Sequence, residues 1–314
     1  MQDSDISKLI STLESNISKV VYGKSKVVRQ CLVALFAGEH VLLEDVPGVG
    51  KTLIGRAIAK SVSGDFKRLQ FTPDLLPADI TGSNYYDSKN QDFHFSQGPI
   101  FTNILLADEI NRTTPRTQSA MLEAMNEQQV SVDGKSYQLP KPFMVIATEN
   151  PMEYEGTYLL PESQLDRFLV RISVGYPDRE SEMEVLRSHR EGKPIDSLQP
   201  VLSCEQILQI QQSASNVKID DSVYKYILDL VDATRAEDSL LVGTSTRGAI
   251  AFSKAVQAHA LLEGRKFVIP DDVKALAVPI LAHRVMTKSF SHGNHRQTVE
   301  TLIEHIVETV AVPV

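Results

Sequence analysis

Cysteine is scarce in this chain. Two occur in 314 residues, Cys31 and Cys204. They lie far apart, show no metal-type spacing and offer no disulfide framework, which suits the reducing cytoplasm. Long apolar runs are missing too. No stretch approaches the roughly 20 residues that a membrane helix needs, so direct membrane insertion is not expected. The opening residues, MQDSDISKLI, carry acids and no apolar core, so no secretory leader is expected there. Clustered positive charge is also absent. The formal net charge is −8, from 32 Lys and Arg against 40 Asp and Glu. Nucleic acid is therefore not an expected partner, because phosphate contact needs a concentrated basic surface. The eight histidines include no H-E-x-x-H. His292 and His295 sit in a Gly- and Ser-containing stretch, SFSHGNH, that reads as a loop rather than a metal site.

What remains is the composition of an ordinary globular protein, 42% hydrophobic and 23% charged, long enough for about two domains. One stretch organises it: Val41–Thr52, VLLEDVPGVGKT. A short apolar run, a loop with Gly48 and Gly50, and a following Ala-, Leu- and Ile-rich segment predict strand, loop and helix, the helix over Leu53–Val62. Small residues let backbone N–H groups face an anion, and the helix dipole favours it. In the P-loop pattern G-x-x-x-x-G-K-[ST], Lys51 reaches the β- and γ-phosphates and Thr52 ligates Mg²⁺. Pro47, Gly48, Val49, Gly50 and Leu53 complete the expected nucleotide contacts. The first Gly of the pattern is replaced by Asp45, a residue type that tolerates unusual turn dihedrals.

Around this loop the chain alternates strands and helices. Ile6, Leu9, Ile10, Leu13 and Ile17 form a helical stripe, and a second helix runs over Val27–Phe36, ended by Gly38. A continuous apolar run predicts a buried strand at Ile104–Asp108, and further strands are expected at Phe66–Phe71, Phe143–Ala147 and Leu169–Val174, in addition to 41–44. Hairpins are expected over Tyr85–Phe95 and Gln129–Tyr137, the latter turning on Asp133-Gly134. The class is therefore α/β with a five-stranded parallel sheet. After Pro177-Asp178 only helices are expected, over Ser181–His189, Cys204–Ser213, Asp221–Arg235, Thr246–Gly264, Asp271–His283 and Val299–Val310. This divides the chain into a nucleotide-binding domain, 1–177, and a small all-α domain, 178–314.

Polar residues at strand ends carry the chemistry. ILLADE ends in Asp108 and Glu109, which point to opposite faces. Asp108 is placed to hold Mg²⁺ near Thr52, and Glu109 to polarise the attacking water. VIATEN ends in Asn150, which is either a turn residue before Pro151 or a group that bonds both γ-phosphate and water. Arg167 in QLDRF is a candidate finger for transition-state charge, with a surface ion pair as the alternative. Arg247 in GTSTRGA begins a helix, from which an arginine would reach phosphate and couple the two domains.

With these residues in order, the sequence resembles the MoxR family of AAA+ ATPases across nearly its whole length. LLEDVPGVGKT, ILLADEINRTTPRTQSAMLEAM, VIATENPMEYEGTYLLPESQLDRF and LLEGRKFVIPDDV carry the likeness. The resemblance implies an AAA+ core with an all-α lid, Mg²⁺-dependent ATP hydrolysis, and the Walker A role for Lys51 and Thr52. It also implies Walker B roles for Asp108 and Glu109, sensor-1 for Asn150, a finger at Arg167, sensor-2 at Arg247, and an adenine wall at Val21, Tyr22 and Gly23. It further implies a ring, usually a hexamer, chaperone-like remodelling or maturation of partner complexes, and partners bearing a von Willebrand factor A domain. A metal-chelatase motor subunit, a helicase-like motor and a nucleotide-dependent scaffold are the alternatives. Departures are few: Glu149 stands where the family has Gln, Leu159 where it has Pro, and Thr246 where it has Pro. An acid beside a phosphate-sensing Asn is unfavourable, so the Glu149 side chain is expected to face away from the site.

Overall fold

Five short strands, the three central ones buried throughout, build the centre of the structure, a computed structural model that describes residues 3–150, 157–158, 160–190, 194–288 and 295–313. In chain order the first part comprises α1 (Asp3–Ser18), α2 (Ser25–Ala37), β1 (Val41–Glu44), α3 (Lys51–Ser61) and β2 (Phe66–Gln70). There follow β3 (Ile104–Asp108), α4 (Pro115–Glu127), β4 (Met144–Glu149) and β5 (Val170–Ile172). The strands pair in the order β5-β1-β4-β3-β2, all parallel. Alternate side chains enter two different cores. Val41, Leu43, Ile104, Leu106, Met144 and Ile146 join the core built with α1–α3 and the C-terminal helices. Leu42, Leu105, Ala107, Val145 and Ala147 join the core under α4. Burial on both faces is why these strands read as unbroken apolar runs.

Helix α3 starts two residues earlier than predicted. Gly50 is its N-cap, with φ 94°, a left-handed conformation that glycine adopts without steric cost. Lys51 and Thr52 thus lie in the first helical turn rather than in the loop. Both predicted hairpins form, over Gly82–Asp87 with Asp92–Gln97 and Gln129–Val132 with Lys135–Gln138. The second turns on Asp133 and Gly134, both with positive φ, the hairpin turn that Asp-Gly favours. Asn84 Nδ2 donates to Asp133 Oδ2 at 2.6 Å and ties the two hairpins together.

The rest is helical: α5 (Arg179–Arg190), α6 (Cys204–Ser215), α7 (Asp221–Ala236), α8 (Thr246–Leu262), α9 (Pro270–Leu281) and α10 (His295–Thr309). Ser203 and Gln206 cap α6 reciprocally, and Asp220 and Ser245 cap α7 and α8, satisfying first-turn N–H groups. Two short ladders interrupt the helices. Leu202–Ser203 lies parallel to Val62–Ser63, and Leu240–Val242 opposes Met286–Thr287. They are too brief to show a two-residue period. His292 lies outside the described residues, as do 151–156 and Leu159 of the family motif; His295, expected in a loop, is instead the first residue of α10. Among the described residues no helix is long and apolar enough to cross a membrane.

One buried guanidinium joins the helical part to the sheet. Arg284, just past α9, donates from Nε to Asp166 Oδ1 at 2.8 Å. Its Nη2 donates to Phe168 O at 2.7 Å and its Nη1 to Leu169 O at 3.0 Å. A buried charge is tolerated only with this degree of pairing. Arg284→Ala removes the guanidinium from Asp166 and the Leu169 carbonyl and leaves Phe168 O with only its bond from His283 Nε2, and is expected to cost about 3–5 kcal/mol, read as a fall in the urea midpoint at unchanged slope.

Candidate functional site

The loop after β1 is anchored at both ends. Asp45 Oδ1 accepts from Val46 N–H at 2.7 Å, and Oδ2 accepts from Ser173 Oγ at 2.7 Å and Gly175 N–H at 2.6 Å. Burial alone would raise the Asp45 pKa, but these hydrogen bonds hold it below the usual carboxylate range. The sequence rationale for Asp45 needs correction. Its backbone is not left-handed; the positive φ values of the loop belong to Gly48 and Gly50. Asp45 serves instead through its carboxylate, which staples the loop to the chain leaving β5.

Lys51 points back into the loop. Its Nζ donates to Val46 O at 3.2 Å, to Glu149 O at 3.1 Å and to Asp45 O. Burial lowers its pKa, opposed by Asp45, Asp108 and Glu109. Thr52 Oγ1 donates to Asp108 Oδ2 at 3.2 Å. Thr148 Oγ1 donates to Asp108 Oδ1 at 2.6 Å and accepts the Glu109 N–H at 2.9 Å. Glu109 is left-handed, φ 58° and ψ 52°, a conformation that non-glycine residues hold only where the surroundings impose it. Its Oε2 accepts from Gln70 Nε2 at 2.7 Å and Arg112 Nη1 at 3.0 Å. On the neighbouring strand, Arg68 donates to Asp108 Oδ2 from Nε at 3.0 Å and from Nη2 at 2.6 Å.

These groups wall a cavity of about 780 Å³. Val21, Tyr22, Pro47, Gly48, Val49, Gly50, Lys51, Thr52, Leu53, Asp108, Glu109 and Asn150 all line it, large enough for a nucleotide. Gly23 does not; a Cβ there would collide with the Ser181 side chain, so its role is to let α5 approach. Asn150 is buried, and its carbonyl accepts from Asn111 Nδ2 at 3.1 Å. Glu149 is off the wall, as expected. It is buried in register with Glu44, and burial with that neighbouring charge pushes its pKa up to about 7.

Comparison with known proteins identifies this arrangement. The family model of AAA ATPases, "ATPase family associated with various cellular activities", matches residues 40–170, and that of the AAA lid domain matches residues 232–306. Chaperone MoxR1 of Mycobacterium tuberculosis is 39% identical, covering 97% of this chain and 83% of its own. The chain belongs to the MoxR family of AAA+ ATPases. YeaC of Bacillus subtilis is 49% identical over 99% of this chain and 97% of its own. A crystal structure of a protein from Cytophaga hutchinsonii superposes with TM-score 0.89 at 38% identity, covering 99% of this chain and 97% of that one. This MoxR-family chain is an ATP-hydrolysing enzyme.

Two further sequence candidates stand apart from the cavity. Arg167 donates from Nη1 to Leu122 O at 2.9 Å, and its Nε is buried without a hydrogen-bond partner. Arg247 is exposed on the first turn of α8. Neither lines the cavity. Arg284 packs beside both segments that carry them. Arg284 binds the turn that carries Arg167, and a Cβ on Gly248 would meet Arg284 Cδ at 2.9 Å. Sequence reading missed Arg68, Gln70 and Thr148, and the wall residues Glu182 and Val185 of α5. The available signal was the i, i+2 spacing of Arg68 and Gln70, which puts two long polar side chains on one face of a strand.

Glu149 gives a pH prediction. A carboxyl with a raised folded pKa binds more protons folded than unfolded, so its contribution to stability falls as pH rises from about 4.5 to about 7. Glu149→Gln lacks this titration. It is expected to match the parent protein near pH 4.5 and to exceed it by on the order of 1–3 kcal/mol above pH 7, measured by urea denaturation at each pH. A stability difference that stays flat with pH would refute the account.

Proposed function

We propose that this ATPase uses ATP hydrolysis to drive chaperone-like remodelling or maturation of partner protein complexes, within a ring of subunits. The observation that carries the hydrolytic part is the convergence of Thr52 and Thr148 on Asp108, with Glu109 fixed beside them. Hydroxyl and carboxylate oxygens 3.2 Å apart are hard ligands of the kind Mg²⁺ selects, so Thr52 and Asp108 are the residues that would hold it. When bound, Mg²⁺ neutralises charge on the β- and γ-phosphates. Lys51 exchanges its loop carbonyls for phosphate oxygens. Glu109 accepts the proton of the attacking water, and Asn150 orients that water against the γ-phosphate. Val21 and Tyr22 lie against the base.

Arg167 and Arg247 complete the site from a neighbouring subunit. That neither lines the cavity of its own chain supports this. A division into a nucleotide-binding domain, 1–177, and a lid, 178–314, fits the wall that Glu182 and Val185 contribute. Partners bearing a von Willebrand factor A domain and a cytoplasmic location complete the reading, the latter supported by the free cysteines Cys31 and Cys204. The chaperone name of the mycobacterial relative supports the remodelling role.

Glu109→Gln is expected to retain ATP binding and lose turnover by about 10²–10⁴-fold; unchanged turnover removes Glu109 from its role. Arg167→Ala is also expected to bind ATP and turn over slowly. Mixed into one ring, the two variants should recover activity, because an intact Glu109 then meets an intact Arg167. Mixed rings with no recovery would refute the placement in trans.

A further inference from the structure

The outermost strand carries a charge that the hydrolysis scheme does not use. β2 pairs with β3 so that Arg68 stands opposite Leu106 and Gln70 opposite Asp108. Arg68 Nε and Nη2 both donate to Asp108 Oδ2, at 3.0 and 2.6 Å. That oxygen is the one Thr52 Oγ1 reaches at 3.2 Å, while Oδ1 is taken by Thr148. The atom that the two proposed Mg²⁺ ligands share is therefore covered by a guanidinium. The two partners differ in freedom. The Asp108 side chain is 8% exposed and Arg68 is 50% exposed. The carboxylate is fixed by its threonines, and the arginine is able to swing away.

We propose that Arg68 is a displaceable counter-ion of the metal site: its guanidinium holds Asp108 Oδ2 in the resting enzyme and yields that oxygen to the divalent cation that enters with the nucleotide. The inference rests on the reading of Thr52 and Asp108 as the metal ligands. Its physical basis is charge balance. A buried carboxylate with no cation beside it is costly, and it also repels an incoming triphosphate. Arg68 removes both penalties before metal arrives, then competes with the metal for the same oxygen. It thus strengthens metal-free nucleotide binding and weakens the apparent affinity for Mg²⁺. A side chain that merely supported the fold would not act in these two opposite directions.

The test measures binding of a fluorescent, non-hydrolysable ATP analogue to the full chain. It is run in EDTA and across a Mg²⁺ titration at constant ionic strength, because salt screens the pair. In EDTA, Arg68→Met is expected to bind the analogue about fivefold more weakly than the parent protein. It is also expected to reach half-maximal Mg²⁺ enhancement at about fivefold lower Mg²⁺, the scale of a half-exposed ion pair. Arg68→Lys, which keeps the charge without the fork, should fall between. Asp108→Asn, expected to lose the Mg²⁺ enhancement, marks the site. Weaker binding in both arms, or an unmoved Mg²⁺ midpoint, overturns the counter-ion role. If the parent protein itself shows no Mg²⁺ enhancement, or Asp108→Asn keeps it, the metal-ligand reading falls first and the inference with it.

Discussion

The carboxylate of Asp108 is the point through which the nucleotide site is assembled. It ends a buried strand, where a bare charge cannot persist, and four side-chain hydrogen bonds from three residues meet it. Each partner comes from a different element. Thr52 brings the first turn of α3, Thr148 the end of β4 and Arg68 the edge strand β2. The need to pair one charge therefore sets the relative position of the phosphate loop, the central strand and the sheet edge. Thr148 extends the constraint by accepting the Glu109 N–H, so the residue proposed as base is held in its left-handed conformation by the group that orients the proposed metal ligand.

A second set of charges joins the helical part to this frame. Arg284 ties the turn that carries Arg167 to the end of α9, and Arg171 and Arg296 lie 3.3 and 3.4 Å from Glu44 Oε2. Arg296 belongs to α10, and Glu44 immediately precedes Asp45. The last helix thus touches the strand residue that leads into the phosphate loop, while the region after α9 grips the arginine turn. A displacement of the C-terminal helices bears on both ends of the proposed machinery at once.

Much of the fold was legible in the sequence, because a strand buried on both faces must be apolar throughout. The runs VLL, ILLA and FMVIA announced strands in this way, and the last of these strands runs on to Glu149. Helix ends were less legible. The start of α3 depends on the φ of Gly50, and no residue pattern reports a dihedral. Sheet order was not visible either, and the missed residues follow from that. Arg68 and Gln70 matter only because β2 lies beside β3, a neighbour 34 or more positions later in the chain. Thr148 escaped notice because a threonine two residues before Asn150 looks like ordinary β-branched strand material. Asp45 was noticed for the wrong reason. Its backbone freedom seemed to be the point, and its long-range bonds to Ser173 and Gly175 could not be read locally.

Lys51, Asp108 and Glu109 share one more property: each already has an internal partner. Lys51 holds loop carbonyls, Asp108 holds Arg68, and Glu109 holds Gln70 and Arg112. A polar group buried without partners would cost about 1–3 kcal/mol, and more if charged. The resting site avoids that penalty and is kept in shape by the same contacts. Nucleotide binding is then an exchange of partners rather than a simple gain of them, so its net free energy is far smaller than the sum of the contacts formed. An exchange of this kind is also readily reversed, which suits an enzyme that must release its product and return to the same resting contacts in every cycle.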